Sequence, residues 1–180
     1  MRRVRIAAVA AGLAAVLLSA ALASAASSAG GSIRLYVSGS GQLHQKVLIV
    51  GAIGDYGNAT SVNADGKPNA NGNFEQLKLQ NGALLIDSTK FNAAGRTARP
   101  TLASEKTCSV AVSWSGTGSI VSGTGLYRGI HGNLKLQGTF AGVSARLKRG
   151  PHKGQCQMGS NVTPRALFIS VSGAGNVTLG

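Results

Sequence analysis

Beyond its first 25 residues this chain is built from short runs in which apolar and polar side chains alternate with period two, and no stretch keeps a helical period. Such a pattern puts one apolar and one polar face on each extended segment, which suits antiparallel sheet better than parallel sheet. The runs are Ile33–Ser38, Leu43–Ile53, Phe74–Leu79, Ala83–Phe91, Cys108–Ser115, Leu134–Phe140, Ala166–Ser172 and Asn176–Leu179, the last two hinged at Gly173-Ala174-Gly175. Between Gly54 and Gly72 lies an extended stretch rich in Asn and Gly, which includes the turn sequence Asp65-Gly66-Lys67-Pro68. Asn81-Gly82 is the strongest hairpin signal in the chain. About eight strands and no helix are therefore expected. Eight antiparallel strands close into a barrel without exposed edges, its interior either filled or holding one small ligand; a β-sandwich is the alternative architecture.

The start of the chain reads differently. Met1-Arg2-Arg3-Val4-Arg5 is basic, Ile6 to Leu22 is uncharged and Ala-, Val- and Leu-rich, and Ala21-Leu22-Ala23-Ser24-Ala25 offers small-x-small cleavage sites. These are the three parts of a secretory signal peptide over residues 1–25. A retained membrane anchor is the competing reading, opposed by the length of the run, by Gly12 and Ser19, and by the absence of Lys or Arg until Arg34. Residues 26–32 read as a flexible lead-in and residues 33–180 as one all-β barrel domain, secreted or associated with the cell envelope and not integral to a membrane after cleavage. Removing residues 1–25 takes away three arginines and no acid, which leaves 15 basic and five acidic residues. A surplus of this size favours an anionic partner such as an envelope polymer. The chain holds only eight aromatic residues, too few for an evident stacking surface, so no specific nucleic-acid partner is expected. Cys108 and Cys156 are the only cysteines, and an even count in an exported chain suggests one disulfide. Two free thiols or a metal pair are the other readings, although no His or Cys stands at ligand spacing beside either one.

With so few acids, each carboxylate is conspicuous. Asp55 follows a long apolar strand, Asp87 sits inside Leu84-Leu85-Ile86-Asp87, and Glu75 lies on an alternating strand; Asp65 and Glu105 read as turn and loop residues. Asp55 and Asp87 are the candidate catalytic residues, because a lumenal carboxylate would be desolvated, its pKa raised, and able to act as acid or base. An Asp87 that points outward or pairs with a cation is the competing reading. His44, His131 and His152 are too dispersed to suggest a metal site, no cofactor motif is present, and no nucleophile elbow or P-loop occurs. Trp114 and Tyr127 are candidates to line a ligand site or to fill the core. The one dense basic cluster, Arg146, Lys148, Arg149 and Lys153, carries Gly150 and Pro151 within it, so it reads as a loop, either a polyanion patch or a solvated segment.

The segment Val121-Ser122-Gly123-Thr124-Gly125-Leu126-Tyr127-Arg128-Gly129-Ile130-His131-Gly132 resembles the glycine-rich signature of dirigent and allene-oxide-cyclase-like barrels. Val50–Gly57, the Lys106-Thr107-Cys108 strand entry and the Asn81-Gly82 hairpin resemble secreted actinobacterial proteins grouped with that superfamily. The resemblance implies an eight-stranded barrel whose lumen takes a small apolar or phenolic molecule, with Trp114, Tyr127 and His131 as candidate ligand contacts. His131 stands where the dirigent motif commonly has Arg, and the pocket carboxylates of the family have no confident counterpart, so the activity does not carry over with the fold. The expectation is a secreted small-molecule-binding barrel without evident catalytic machinery. The alternatives are a cyclase or isomerase using a lumenal carboxylate, and an extracellular polyanion- or envelope-binding protein.

Overall fold

The computed structural model describes residues 30–157 and 164–180; the expected signal peptide lies outside the described residues. The strands are β1 (Gly30–Gly39), β2 (Gln45–Gly51), β3 (Asp55–Val62), β4 (Phe74–Leu79), β5 (Ala83–Asp87), β6 (Pro100–Ser104), β7 (Ser109–Gly123), β8 (His131–Val143) and β9 (Ala166–Thr178), with a helix α1 (Thr89–Thr97) between β5 and β6. All neighbouring pairs are antiparallel, in the order β5-β4-β3-β2-β1-β9-β8-β7-β6, and a further β5–β7 pairing closes an eight-stranded barrel. The expected all-β barrel is the fold observed. Among the described residues no helix is long and apolar enough to cross a membrane.

Closure depends on the length of β7. Its last residues, Ser119–Gly123, pair with β5, while its first, Ser109–Val112, pair with β6 on the same edge. Between these two partners α1 lies against β7. This corrects the expectation of a helix-free chain and of a strand running on to Phe91. The helix has nine residues and a single buried one, Phe91, too few apolar positions for a helical period to stand out. It starts where Asp87 Oδ1 accepts a bond from Thr89 N (2.9 Å), satisfying one of the donors a helix start leaves open.

Other boundaries differ from expectation too: β6 lies in none of the expected runs, while β7 runs on to Gly123 and β8 spans His131–Val143, each longer than its expected run. The Asn- and Gly-rich stretch after Gly54 contains a full strand, β3, whose polar composition hides it, although Ala59, between β2 and β4, and Val62, beside β4, are completely buried. Gly30–Ser32, expected within the lead-in, already pair with Asn176–Thr178. Ala166 to Thr178 is one strand without a hinge: a Cβ on Gly175 would stand 1.9 Å from the Asn133 carbonyl oxygen, so glycine is there for close approach to β8. The Asn81-Gly82 hairpin forms as read, with Leu79 N donating to Gly82 O (2.8 Å). The glycine-rich stretch is a tight β7–β8 connection with Gly125 at φ +62° and Gly129 at φ +79°, values that glycine adopts without strain.

The core lies inside the barrel. Ile33, Leu35 and Val37 of β1, Val47 and Ile49 of β2, Leu77 of β4, Leu84 and Ile86 of β5, and Leu134 and Leu136 of β8 all point inward. Cys108 and Cys156 form a disulfide that ties the β6–β7 turn to the loop following β8.

Candidate functional site

The two ends of the barrel are finished differently. At the end where β3 begins, Asp55 is a buried carboxylate at the centre of a hydrogen-bond cluster. It accepts bonds from Tyr56 N (2.7 Å), Gln80 N (3.2 Å), Asn81 N (3.0 Å), Asn81 Nδ2 (3.3 Å) and the Tyr127 hydroxyl (2.5 Å). Burial pushes its pKa up, but the bonds from Tyr127, Asn81, Tyr56 and Gln80 together outweigh this and bring it to about 2. Tyr127 in turn is pushed up to about 12 by burial and by the adjacent Asp55. Asp55 thus stays ionised and fully engaged. It fastens the β4–β5 hairpin and the glycine-rich connection to the start of β3, and Tyr127 closes this end as part of the core.

The other end holds a cavity of about 110 Å³. Leu35, Val37, Leu136, Ile169 and Val171 supply its apolar wall, and Phe91, Trp114 and Phe140 its aromatic one. Phe91 and Trp114 pack with ring centroids 5.4 Å apart. The indole is pressed between α1 and β8, since a Cβ on Gly95 would meet it at 3.0 Å and one on Gly138 at 2.6 Å. Two of the polar lining residues are committed to holding α1 in place. Ser88 Oγ donates to Asn73 O (2.9 Å), and Asn92 Nδ2 donates to Gly72 O (3.0 Å). Arg96 adds a bond from the exposed side of the helix to Asn73 Oδ1 (2.7 Å).

Glu75 is the one ionisable residue in the cavity wall. Its Oε1 is buried without a protein partner, as is Trp114 Nε1. Burial pushes the carboxyl up to about 7, against a partial opposing effect of Ser61, its register neighbour on β3. A carboxyl titrating there can exchange a proton with a bound molecule, or accept its hydrogen bond, near neutral pH.

Of the candidate catalytic, ligand-contact and basic-patch residues named from sequence, only Trp114 lines this cavity; Glu75, noted there on its alternating strand, was not among them. Asp55 and Tyr127 meet each other at the opposite end. Asp87 sits one residue out of phase with the buried Leu84 and Ile86 and is turned outward, where it binds the first turn of α1. Its pKa is lowered, chiefly by Thr89 and to a lesser degree by Lys90, the opposite of a desolvated lumenal acid. His131 is exposed, with Nδ1 3.2 Å from Gly129 O. In the basic cluster, Arg146 is spent on the backbone carbonyls of Gly154, Glu105 and Lys106, while Lys148, Arg149 and Lys153 are exposed. Glu75 was legible by parity: it shares a face of β4 with Leu77 and Leu79, so any register that buries those leucines turns it inward.

Comparison of the chain with family models, curated proteins and solved structures finds no match.

Proposed function

We propose that this chain is a small-molecule-binding barrel whose lumenal cavity takes a compact, mostly apolar guest that carries one hydrogen-bond donor. The observation that supports this is the unpartnered Glu75 Oε1 in an otherwise mainly apolar wall. Such an atom costs about 1–3 kcal/mol when left unmade, and a guest's N–H or O–H recovers that loss. The resemblance to dirigent and allene-oxide-cyclase-like barrels, and export to the cell exterior or envelope, fit the same reading. The guest is narrower than the phenolics that resemblance implies. At about 110 Å³ the cavity is smaller than an engineered one of roughly 150 Å³ that accepts benzene. It therefore suits a single ring or a short branched chain, and a larger guest requires α1 to shift.

Trp114 is the only tryptophan of the chain and stands in the cavity wall, so its fluorescence reports on this site. Titration with pyrrole, pyrazole and isobutanol should change that fluorescence saturably, with furan, which lacks the donor, binding more weakly. Glu75→Gln should reduce the preference for the donors. The reading fails if none of the four gives a saturable change. A second reading, proton transfer to and from the bound guest as in an isomerase, is favoured by the near-neutral carboxyl of Glu75 rather than by Asp55 or Asp87. It predicts that Glu75→Gln abolishes turnover while a donor-free guest still binds.

A further inference from the structure

The outer surface of the barrel carries a second concavity, independent of the lumen. We infer that the groove over β9, between β1 and β8, binds an acidic glycan, an extended polymer of uronic-acid type.

The register defines the groove. Arg34 on β1 and Lys135 on β8 both stand opposite Ala174 of β9, and in the next row Tyr36 and Gln137 both stand opposite Ser172. Two strand spacings separate the members of each pair, about 10 Å. The small side chains of β9 make the floor and the long ones of its neighbours make the walls, enclosing a groove of about 550 Å³. Beyond the groove the outward row of β9 continues as Ser170, flanked by Ser38 and Thr139, and as Asn176, flanked by Ser32 and Asn133, so only short side chains border the groove at either end along the strand.

Its chemistry is that of sugar recognition. Tyr36 is 45% exposed and lines one wall with an aromatic side chain. Gln137 and Ser172 offer amide and hydroxyl groups for sugar hydroxyls, and the two facing cations are placed to take carboxylates. No acid opposes those cations. Asp55 is consumed at the barrel end, Glu75 faces the lumen, Asp65 pairs with Lys67 in the β3–β4 loop, Asp87 binds α1, and Glu105 lies in the β6–β7 turn. A second copy of the chain fits this face poorly, because like charges would meet across the interface. A nucleic acid is disfavoured because Tyr36 is the only aromatic wall of the groove, whereas strand binding without base readout relies on successive stacking platforms.

The test measures binding of the full chain to polygalacturonate, with neutral dextran and oligodeoxythymidylate as competitors. Arg34→Glu combined with Lys135→Glu should weaken polygalacturonate binding by roughly tenfold or more and flatten its salt dependence. Tyr36→Ser, which leaves the charge unchanged, should weaken it by about threefold to tenfold. Reversing Lys148, Arg149 and Lys153 together should have less than about a threefold effect beyond what added salt produces. All six positions are exposed, and an unchanged melting temperature confirms the fold of each variant. The inference is overturned if wild type does not bind polygalacturonate, if the loop reversal removes binding while the groove variants keep it, or if oligodeoxythymidylate displaces the glycan at equal charge and is indifferent to Tyr36→Ser.

Discussion

Replacing Glu75 by Gln should make the protein more stable at alkaline pH and leave it nearly unchanged at acid pH. In the folded chain burial holds the Glu75 carboxyl near 7, against an ordinary value of 4.5. Below about 4.5 the group is protonated in both folded and unfolded chains and adds no ionisation penalty. Between 4.5 and 7 the unfolded chain releases its proton while the folded chain keeps it, so the folded state binds more protons and stability falls as pH rises. Above 7 the full penalty is in place. A shift of this size corresponds to about 3 kcal/mol, and solvent reaching the cavity trims it to about 2–3 kcal/mol. Glutamine fills nearly the same volume and does not ionise. Urea unfolding of wild type and Glu75→Gln at intervals from pH 4 to pH 8 isolates the effect, because every other titrating group is common to both proteins. The difference in unfolding free energy should rise by about 2–3 kcal/mol across the range, with its midpoint between the two pKa values. A difference that stays flat to within about 0.5 kcal/mol would falsify the placement of Glu75 in a desolvated lumen.

Asp55→Asn removes a charged acceptor and sets an amide against backbone donors, so it should cost about 2–4 kcal/mol. The contribution of Asp55 has the opposite pH sense to that of Glu75: it is fully present above its ordinary value of 3.8 and lost as pH falls toward about 2, which acid unfolding of the two proteins should show. Replacing Cys108 and Cys156 together by Ser opens a cross-link between residues 48 apart and should lower stability by about 2–4 kcal/mol. Reducing wild type with dithiothreitol should lower its melting point to that of the double variant, and a reduced protein that melts where the oxidised one does refutes the assignment.

On the proposed reading, stability and binding pull against each other at Glu75. A Gln or Met there would fold better at neutral pH, so the carboxyl is a cost in the folded state, a pattern that marks sites kept for function. At the other end the same residue type does the reverse: Asp55 is surrounded by donors, ionised and stabilising. Burial acts on both carboxylates, and the number of donors aimed at each decides the sign.

Much of the barrel was legible in the alternation of the chain. Period two separates the inward set, such as Ile33, Leu35 and Val37, from the outward set, such as Arg34 and Tyr36, wherever the strand lies. The Asn81-Gly82 turn rests likewise on local chemistry, and the pairing of the two lone cysteines on their count. The polar strand β3 and the nine-residue α1 were not legible, because their own residues barely favour those states. Strand β3 exists because β2 and β4 supply its hydrogen-bond partners, and α1 because Phe91 finds a gap beside β7. Parity along β4 already turned Glu75 inward, but only the closed barrel brings it to one cavity with Trp114, some 40 residues away in the chain. Only the strand order, likewise, sets Arg34 across β9 from Lys135. Such meetings are set by non-local pairing, which no window of sequence contains; the facing of each side chain, a property of its own strand, the sequence determined alone.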